Sequence, residues 1–248
     1  MSSSAKRPVR RAIILAAGNG DRFQNPARDS KLLQPLLGRP ILLRTIDAAH
    51  DAGVERVTIV LGYQADRVRA LAERATSPRL SLSFVVNPRW HLENGVSALA
   101  ARDAAGDEPF ALLMGDHVFD PDVLARMLGL PLADEESVLA IDTRDVPPAV
   151  ADEATKVRRV GSRIVAIGKD LRVYDALDTG VFVCAPSLFD ALTKAQAAGD
   201  TTLTGGIREL AARGLMQGFD IGNARWCDID TASDLAAAES TLAAGTAA

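Results

Sequence analysis

Short apolar runs rich in Val, Ile and Leu recur along this chain and alternate with stretches of helical periodicity. The runs are Ala12 to Ala16, Val57 to Leu61, Leu82 to Val86, Ala111 to Met114 and Val138 to Ile141. In one intervening stretch Pro40 falls where a first helical turn tolerates it. There Leu42, Leu43, Ile46 and Ala49 share a face, and Gly53 follows as a C-cap. Further helices are predicted from Ala65 to Arg74 and after Asn94. Short strands flanked by helices imply crossover connections and a mostly parallel sheet covered on both faces.

From about Thr155 the texture changes. VRRV and RIVAI face each other across Gly161-Ser162, which predicts a β-hairpin. A strand from Thr179 to Cys184 follows, then helices around Leu188 to Ala197 and Leu203 to Arg213. A last short strand ends in ARWCDID ahead of a terminal helix. The expectation is one α/β domain over residues 11–243 with an antiparallel addition in its second half. Residues 1–10 read as a flexible tail and 244–248 as a frayed end. Ligands of open α/β sheets bind outside the carboxyl ends of the strands, so residues just past the apolar runs are the candidates for chemistry.

Composition removes several classes. With 48% hydrophobic and 24% charged residues the 248-residue chain reads as soluble and globular. A net charge of -4 argues against a nucleic-acid partner, which needs a strong basic field. Two cysteines, Cys184 and Cys227, exclude a disulfide framework or a four-thiolate zinc site and fit a reducing compartment. The start, MSSSAKRPVRR, has the charge of a secretory n-region, but the apolar run behind it stops at Gly18. No apolar run is long enough to span a bilayer, so no membrane insertion is expected and the compartment is read as cytoplasmic. Oligomeric state leaves no mark in the sequence.

After the first run comes LAAGNGDRFQNPARDSK. Gly18 and Gly20 let the backbone turn sharply and offer amide N–H groups to anionic oxygens, and Arg22 and Lys31 add two cations. The result is a nest for a polyphosphate, or a tight turn and no more. A dinucleotide fingerprint would need a third glycine where Phe23 stands, and a phosphate-binding Gly-Lys-Ser/Thr closure is absent.

LAAGNGDRF, the downstream Lys31 and PLLGRPIL together resemble the opening of the sugar-nucleotide pyrophosphorylases and cytidylyltransferases. The resemblance implies a Rossmann-like, mostly parallel sheet flanked by helices, of the nucleotide-diphospho-sugar transferase type, with a small antiparallel addition. It implies that Leu15, Ala16, Ala17, Gly18, Asn19 and Gly20 wrap a nucleoside triphosphate, and that Arg22 and Lys31 neutralise it. Where many members carry Pro before that lysine, this chain has Ser30.

The fourth run ends in LLMGDHVFD. Asp116, just past a buried strand, can hold Mg²⁺ or can cap a helix; Asp120, ahead of Pro121, reads as a cap. The family carries a metal-binding Asp where Asp116 stands. Its closing strand-to-helix turn resembles IDTASDL, which selects Asp230 as the second metal ligand, with Asp228 as understudy and helix capping as the alternative. His117 lines the pocket or is solvated. No GxSxG, HExxH or CxxC occurs. A phosphate-monoester acceptor is already ionised at pH 7 and needs no serine, cysteine or histidine nucleophile. Positioning and charge neutralisation suffice.

FVVNPRWHLENGVSAL resembles segments of cytidylyltransferases for choline phosphate and molybdopterin, implying base contacts from Asn94, Gly95 and Ser97; capping alone also accounts for Asn94. EATKV, IGKDL and DTG resemble the cytidylyltransferases that make CDP-inositol from CTP and inositol 1-phosphate. On that resemblance Lys169 binds the acceptor phosphate, Lys156 is a second cation, and Asp178 and Thr179 face the polyol hydroxyls. In many relatives this unit is fused to a membrane-embedded transferase; with no spanning segment here, a second step is expected from another protein. A molybdopterin cytidylyltransferase is the alternative within the family. Outside it stand a glycosyltransferase, which would more often show Asp-x-Asp where Asp116-His117-Val118 stands, and a non-catalytic nucleotide sensor.

Overall fold

The computed structural model describes residues 9–23, 29–75 and 77–245. Residues 1–8 of the tail expected at 1–10, residues 246–248 of the frayed end expected at 244–248, and residues 24–28 of the polar stretch lie outside that set. Along the chain run β1 (Arg11–Ala16), a 3₁₀ turn (Lys31–Leu33), β2 (Pro35–Leu36), β3 (Arg39–Pro40), α1 (Ile41–Asp51), β4 (Arg56–Leu61), α2 (Ala65–Ala75) and β5 (Ser81–Val86). Next come α3 (Asn94–Ala100), α4 (Arg102–Ala105), β6 (Phe110–Met114), β7 (His117–Phe119), α5 (Pro121–Leu128) and β8 (Ser137–Asp142). The second half holds α6 (Pro148–Glu153), β9 (Lys156–Val160), β10 (Arg163–Gly168), β11 (Ala176–Cys184), α7 (Ser187–Ala197), α8 (Leu203–Ala212), β12 (Met216–Asp220), β13 (Trp226–Asp228) and α9 (Ala232–Gly245).

The main sheet has nine strands in the order β5-β4-β1-β6-β11-β8-β12-β10-β9. The strands β5, β4, β1 and β6 are parallel, as are β8 and β12. Antiparallel β11 sits between the two sets, and the β9–β10 hairpin closes the far edge. The parallel half follows from the helical crossovers, because a parallel neighbour cannot be reached through a tight turn. Alternate residues of β1 serve opposite faces. Ala12, Ile14 and Ala16 join α1, α2 and α5 in one core, through Leu42, Ile46, Val68 and Leu124. Ile13 and Leu15 join α7 and α8 in the other, through Leu188, Leu192, Ile207 and Leu210. Two-sided burial is why the runs of β1, β4, β6 and β8 read as unbroken apolar segments, whereas β5 lies at the sheet edge and stays partly exposed. Phe182 of β11 is 1% exposed, and truncating it to Ala would cost about 3–5 kcal/mol.

The hairpin turns at Gly161, whose φ of +62° suits glycine. Several boundaries differ from expectation. Pro40 stands at the N-cap of α1 rather than in its first turn. Strand β11 begins at Ala176 instead of Thr179, because Ala176 and Leu177 also pair with β9. The strands β7 and β12 are not foreseen. The first is only three residues long, and the second, MQGFD, interrupts its apolar pattern with Gln217 and Gly218.

A third, small core decides where the chemistry sits. Phe23, Leu36, Ile41, Val118, Ile229 and Ala238 pack together, tying the end of the glycine loop, the β7–β13 ribbon and helix α9 into one unit. Arg22, His117, Asp228 and Asp230 are each adjacent in sequence to one of these anchors or their ribbon partners.

Candidate active site

Strand β1 delivers its chain at the carboxyl edge of the parallel half. Leu15, Ala16 and Ala17 are buried there; Leu15 O accepts from Gly115 N (2.9 Å) and Ala17 O from Tyr63 N (2.9 Å). These three residues fix the floor of the loop. Beyond them the chain turns out: a Cβ at Gly18 would meet nothing within 4 Å. At Gly20, with φ +63°, a Cβ would press on Cγ and Cδ of Lys31 at 3.1 Å. Gly20 therefore supplies both the left-handed turn and the gap through which the lysine stem passes.

Lys31 is the centre of the site. Its side chain is 9% exposed, and Nζ lies 2.7 Å from Asp116 Oδ2 and 2.5 Å from Asp230 Oδ1. Arg22 pairs with the other oxygen of Asp230, and also with Glu153 of α6 at 3.6 Å. Burial opposes the charges of Lys31, Asp116 and Asp230, but the pairing outweighs it. Asp116 and Asp230 hold Lys31 above its ordinary pKa. Lys31 and His117 hold Asp116 well below the carboxylate range, and Lys31 lowers Asp230.

Each carboxylate has a local reason for its place. Asp116 occupies the two-residue turn between β6 and β7. Thr45 of α1, wholly buried, pins that turn with Oγ1 within 3.2 Å of Gly115 O and 3.0 Å of His117 O. A Cβ at Gly115 would stand 2.9 Å from Leu15 O, so only glycine lets the turn lie against β1. Strand β13 pairs antiparallel with β7, setting Asp228 opposite His117, and Ile229 N donates to Asp116 O at 3.2 Å. Helix α9 is capped by Thr231, whose hydroxyl accepts from Asp234 N (3.2 Å), while Asp234 Oδ2 accepts from Thr231 N (2.7 Å) and Asp230 N (3.1 Å). The Asp230 carboxylate is thus free of capping duty. Asp116 caps no helix either. Asp120 stands at the N-cap of α5, yet its carboxylate accepts from Arg225 instead of the helix.

His117 lies over Gly180, where a Cβ would come within 2.5 Å of its ring, and it stacks on Trp226 with centroids 6.5 Å apart. Its Nδ1 is 2.9 Å from Asp116 Oδ1 and 3.7 Å from Asp228 Oδ1. Burial pushes against its charge, but Asp228, Asp116 and Asp178 outweigh this and raise it to about 9. Burial pushes Asp228 up to about 6, with Asp116 and Asp230 adding to the rise against His117 and Lys31. Asp178 is also pushed by burial to about 6, opposed by the Gly180 amide (2.8 Å) and His117.

A cleft of about 700 Å³ opens beside this group, lined in part by Asn94, His117, Lys169, Asp178, Asp228 and Asp230. Several expected binding residues, Asn94 of the cleft wall included, make contacts within the protein. Gly95 is a packing glycine: a Cβ would meet Thr201 O at 2.6 Å. Ser97, 4% exposed, bonds to Asn87 Nδ2 at 3.0 Å. Asn94 Oδ1 accepts from Leu203 N (2.8 Å) and fastens α3 to the start of α8. Thr179, 1% exposed, donates to Ala140 O at 2.8 Å and does not face the cleft. Lys156 is buried and Nζ donates to the carbonyls of Asp152, Ala154 and Lys169. The polar side-chain atoms of Ser97, Thr179 and Lys156 are thus turned to protein partners, while Gly95, which has no side chain, could meet a base only through its backbone. Sequence reasoning missed Arg144, Asp142 and Trp226 as cleft residues. The available signal was their position: Asp142 and Arg144 end the fifth apolar run at the sheet's carboxyl edge, where ligands bind.

The donor chemistry fits a hard divalent cation. Two carboxylate oxygens converge on one ammonium position, so both reach a single small ion there. Asp116, His117 and Asp228 present further ligand atoms within 4.8 Å of one another. Carboxylate oxygens are the donors such ions take.

The chain matches the family model described as MobA-like NTP transferase domain over residues 12–213. It is 34% identical over 233 residues to the bifunctional IPC transferase and DIPP synthase of Rubrobacter xylanophilus, covering 92% of this chain and 51% of that protein. The protein of the same name in Aquifex aeolicus is 31% identical over 237 residues, covering 94% of this chain and 52% of its own. The chain therefore spans about half the length of these relatives. Among solved structures, the inositol-1-phosphate CTP transferase from T. maritima matches with a TM-score of 0.81 and 26% identity, over 95% of this chain and 96% of that one. A UDP-glucose pyrophosphorylase complexed with UDP-glucose shares the fold, with a TM-score of 0.77 at 18% identity over 96% of this chain and 99% of that one. Among the described residues no helix is long and apolar enough to cross a membrane.

Proposed function

The chain belongs to the MobA-like NTP transferase family, and on that footing we propose that it transfers a cytidylyl group from CTP to a polyol phosphate, with inositol 1-phosphate the leading acceptor. The names carried by its relatives and by the T. maritima structure support that choice. The single observation that carries it is Lys31 held between Asp116 and Asp230 beside the glycine turn.

In the reaction an oxygen of the acceptor phosphate attacks the α-phosphorus of CTP. The bond from that phosphorus to the oxygen bridging the β-phosphate breaks, and pyrophosphate leaves with the electron pair. The acceptor is ionised at neutral pH, so no side chain need remove a proton. Backbone amides around Gly18, Asn19 and Gly20 receive the triphosphate, and Arg22 and Lys31 offset its charge. Asp116 and Asp230, with Asp228 next in line, would hold Mg²⁺, which supplies further charge neutralisation at the phosphates. Lys169 meets the acceptor phosphate, and Asp178 accepts from its hydroxyls.

The test is a pyrophosphate-release screen crossing four nucleoside triphosphates with phosphorylated sugars and polyols. CTP with inositol 1-phosphate is expected to give the highest kcat/KM. A different best pair would overturn the substrates, and silence across the whole panel would overturn nucleotidyl transfer.

A further inference from the structure

The wall of the cleft carries an arginine that is held still. Arg144 follows β8 and lines the cleft with Lys169 and Asp178. Its backbone N and Nε donate to Asp142 Oδ1 at 3.0 and 2.8 Å, and its Nη2 donates to Asp142 Oδ2 at 2.8 Å. Asp142, 2% exposed, takes a fourth donor from Trp226 Nε1 at 2.8 Å. Trp226 in turn stacks on His117, so this acid is locked on two sides. A bidentate fork fixes the plane of a guanidinium. Among the described residues Nη1 bonds to nothing, and the side chain is 40% exposed.

Such a fixed, charged donor adds to the hydroxyl and amide donors of Asn94, Thr155, Thr204 and Ser233 that also line the cleft. Every hydroxyl both gives and takes a hydrogen bond. Asp178 serves as acceptor, but Thr179 is turned into the sheet and Lys156 is spent on three carbonyls. Val146, Pro147 and Val150 supply an apolar wall beside Arg144, suited to the C–H face of a ring. We propose that Arg144, positioned by Asp142 and Trp226, donates hydrogen bonds to hydroxyls of the polyol phosphate and so sets which acceptor is used. The inference rests on the nucleotidyl-transfer reading given above. Arg144 touches substrate, while Asp142 and Trp226 act through it.

The experiment measures kcat, KM for CTP and KM for the acceptor by pyrophosphate release, in wild type, Arg144→Gln and Arg144→Lys. The acceptor is whichever phosphorylated polyol or sugar the wild type uses best, together with analogues lacking one hydroxyl each. Arg144→Gln is expected to raise acceptor KM by about tenfold or more, the scale of losing one charged hydrogen bond, with KM for CTP within about twofold. Arg144→Lys, which cannot keep the fork, is expected to fail as a rescue. One deoxy analogue should cost the wild type about tenfold and cost Arg144→Gln nothing further. An unchanged acceptor KM, an equal rise in both KM values, or losses that add for every analogue would overturn the proposal. An active wild type with an unaffected variant overturns this inference alone; a wild type inactive on every acceptor overturns it together with the nucleotidyl-transfer reading.

Discussion

Gly20 makes room for Lys31: at φ +63°, the Cβ it lacks would stand 3.1 Å from both Cγ and Cδ of the lysine. The turn and the cation eleven positions later are thus one device, although the residues between them at 24–28 lie outside the described set. Gly20→Ala is expected to harm on both counts. A left-handed alanine costs roughly 1–2 kcal/mol, and the lysine stem must shift by a few tenths of an ångström. The melting temperature should fall by about 2–8 °C, and affinity for the triphosphate should fall with it. Calorimetry and nucleotide titration of the variant check this; an unaltered Tm and unaltered affinity would refute it.

Lys31→Ala leaves Asp116 and Asp230 facing each other with no ammonium between them. Turnover should drop at least about 100-fold, the scale of losing one charge stabiliser. Meanwhile Mn²⁺ alone should bind more tightly than to wild type, because the carboxylates no longer share a fixed cation. Asp116→Ala should match the loss of turnover and bind the ion less well. Steady-state kinetics with a Mn²⁺ titration separates these outcomes, and near-normal turnover with an unchanged circular dichroism spectrum would refute the roles.

Much of the scaffold was legible because β1, β4, β6 and β8 are buried on both faces and so appear as plain apolar runs. The meeting of Gly20, Lys31 and Asp116 was legible because each is an odd residue set just past such a frame. The site was not legible where tertiary partners decide. Gly95 is required by Thr201 and Thr202, more than a hundred positions away, and Ser97 by Asn87. Which lysine of the hairpin faces the cleft depends on side-chain parity, and a bulge between Ile164 and Ala166 resets that parity before Gly168 meets Lys156. Neither strand announces it.

The cysteines offer a test of the sheet itself. Cys184, 1% exposed in β11, is raised far above a free thiol by burial. Cys227 of β13 is pushed up to about 11 by burial and by Asp228. Thiolate is the reactive form, so both should resist a thiol reagent at pH 8 in the native protein and react fully once it is unfolded. Rapid native labelling of Cys227, located by mass spectrometry, would contradict the β7–β13 pairing.

Asp142 links the stability of the fold to pH. Burial works against its charge, but Arg144 and Trp226 outweigh this and hold its pKa below the ordinary value. A depressed acid stabilises the fold fully above its unfolded pKa, about 3.9, and loses that contribution as pH falls through the lower folded value. Asp142→Asn removes the charge that anchors Arg144 while keeping an acceptor for Trp226. The variant should therefore melt below wild type at pH 7, and the gap should narrow as the pH is lowered past about 4. Thermal unfolding of both proteins across that range measures it. A gap that is constant with pH would mean that shape, and not the ion pair with Arg144, is what Asp142 contributes.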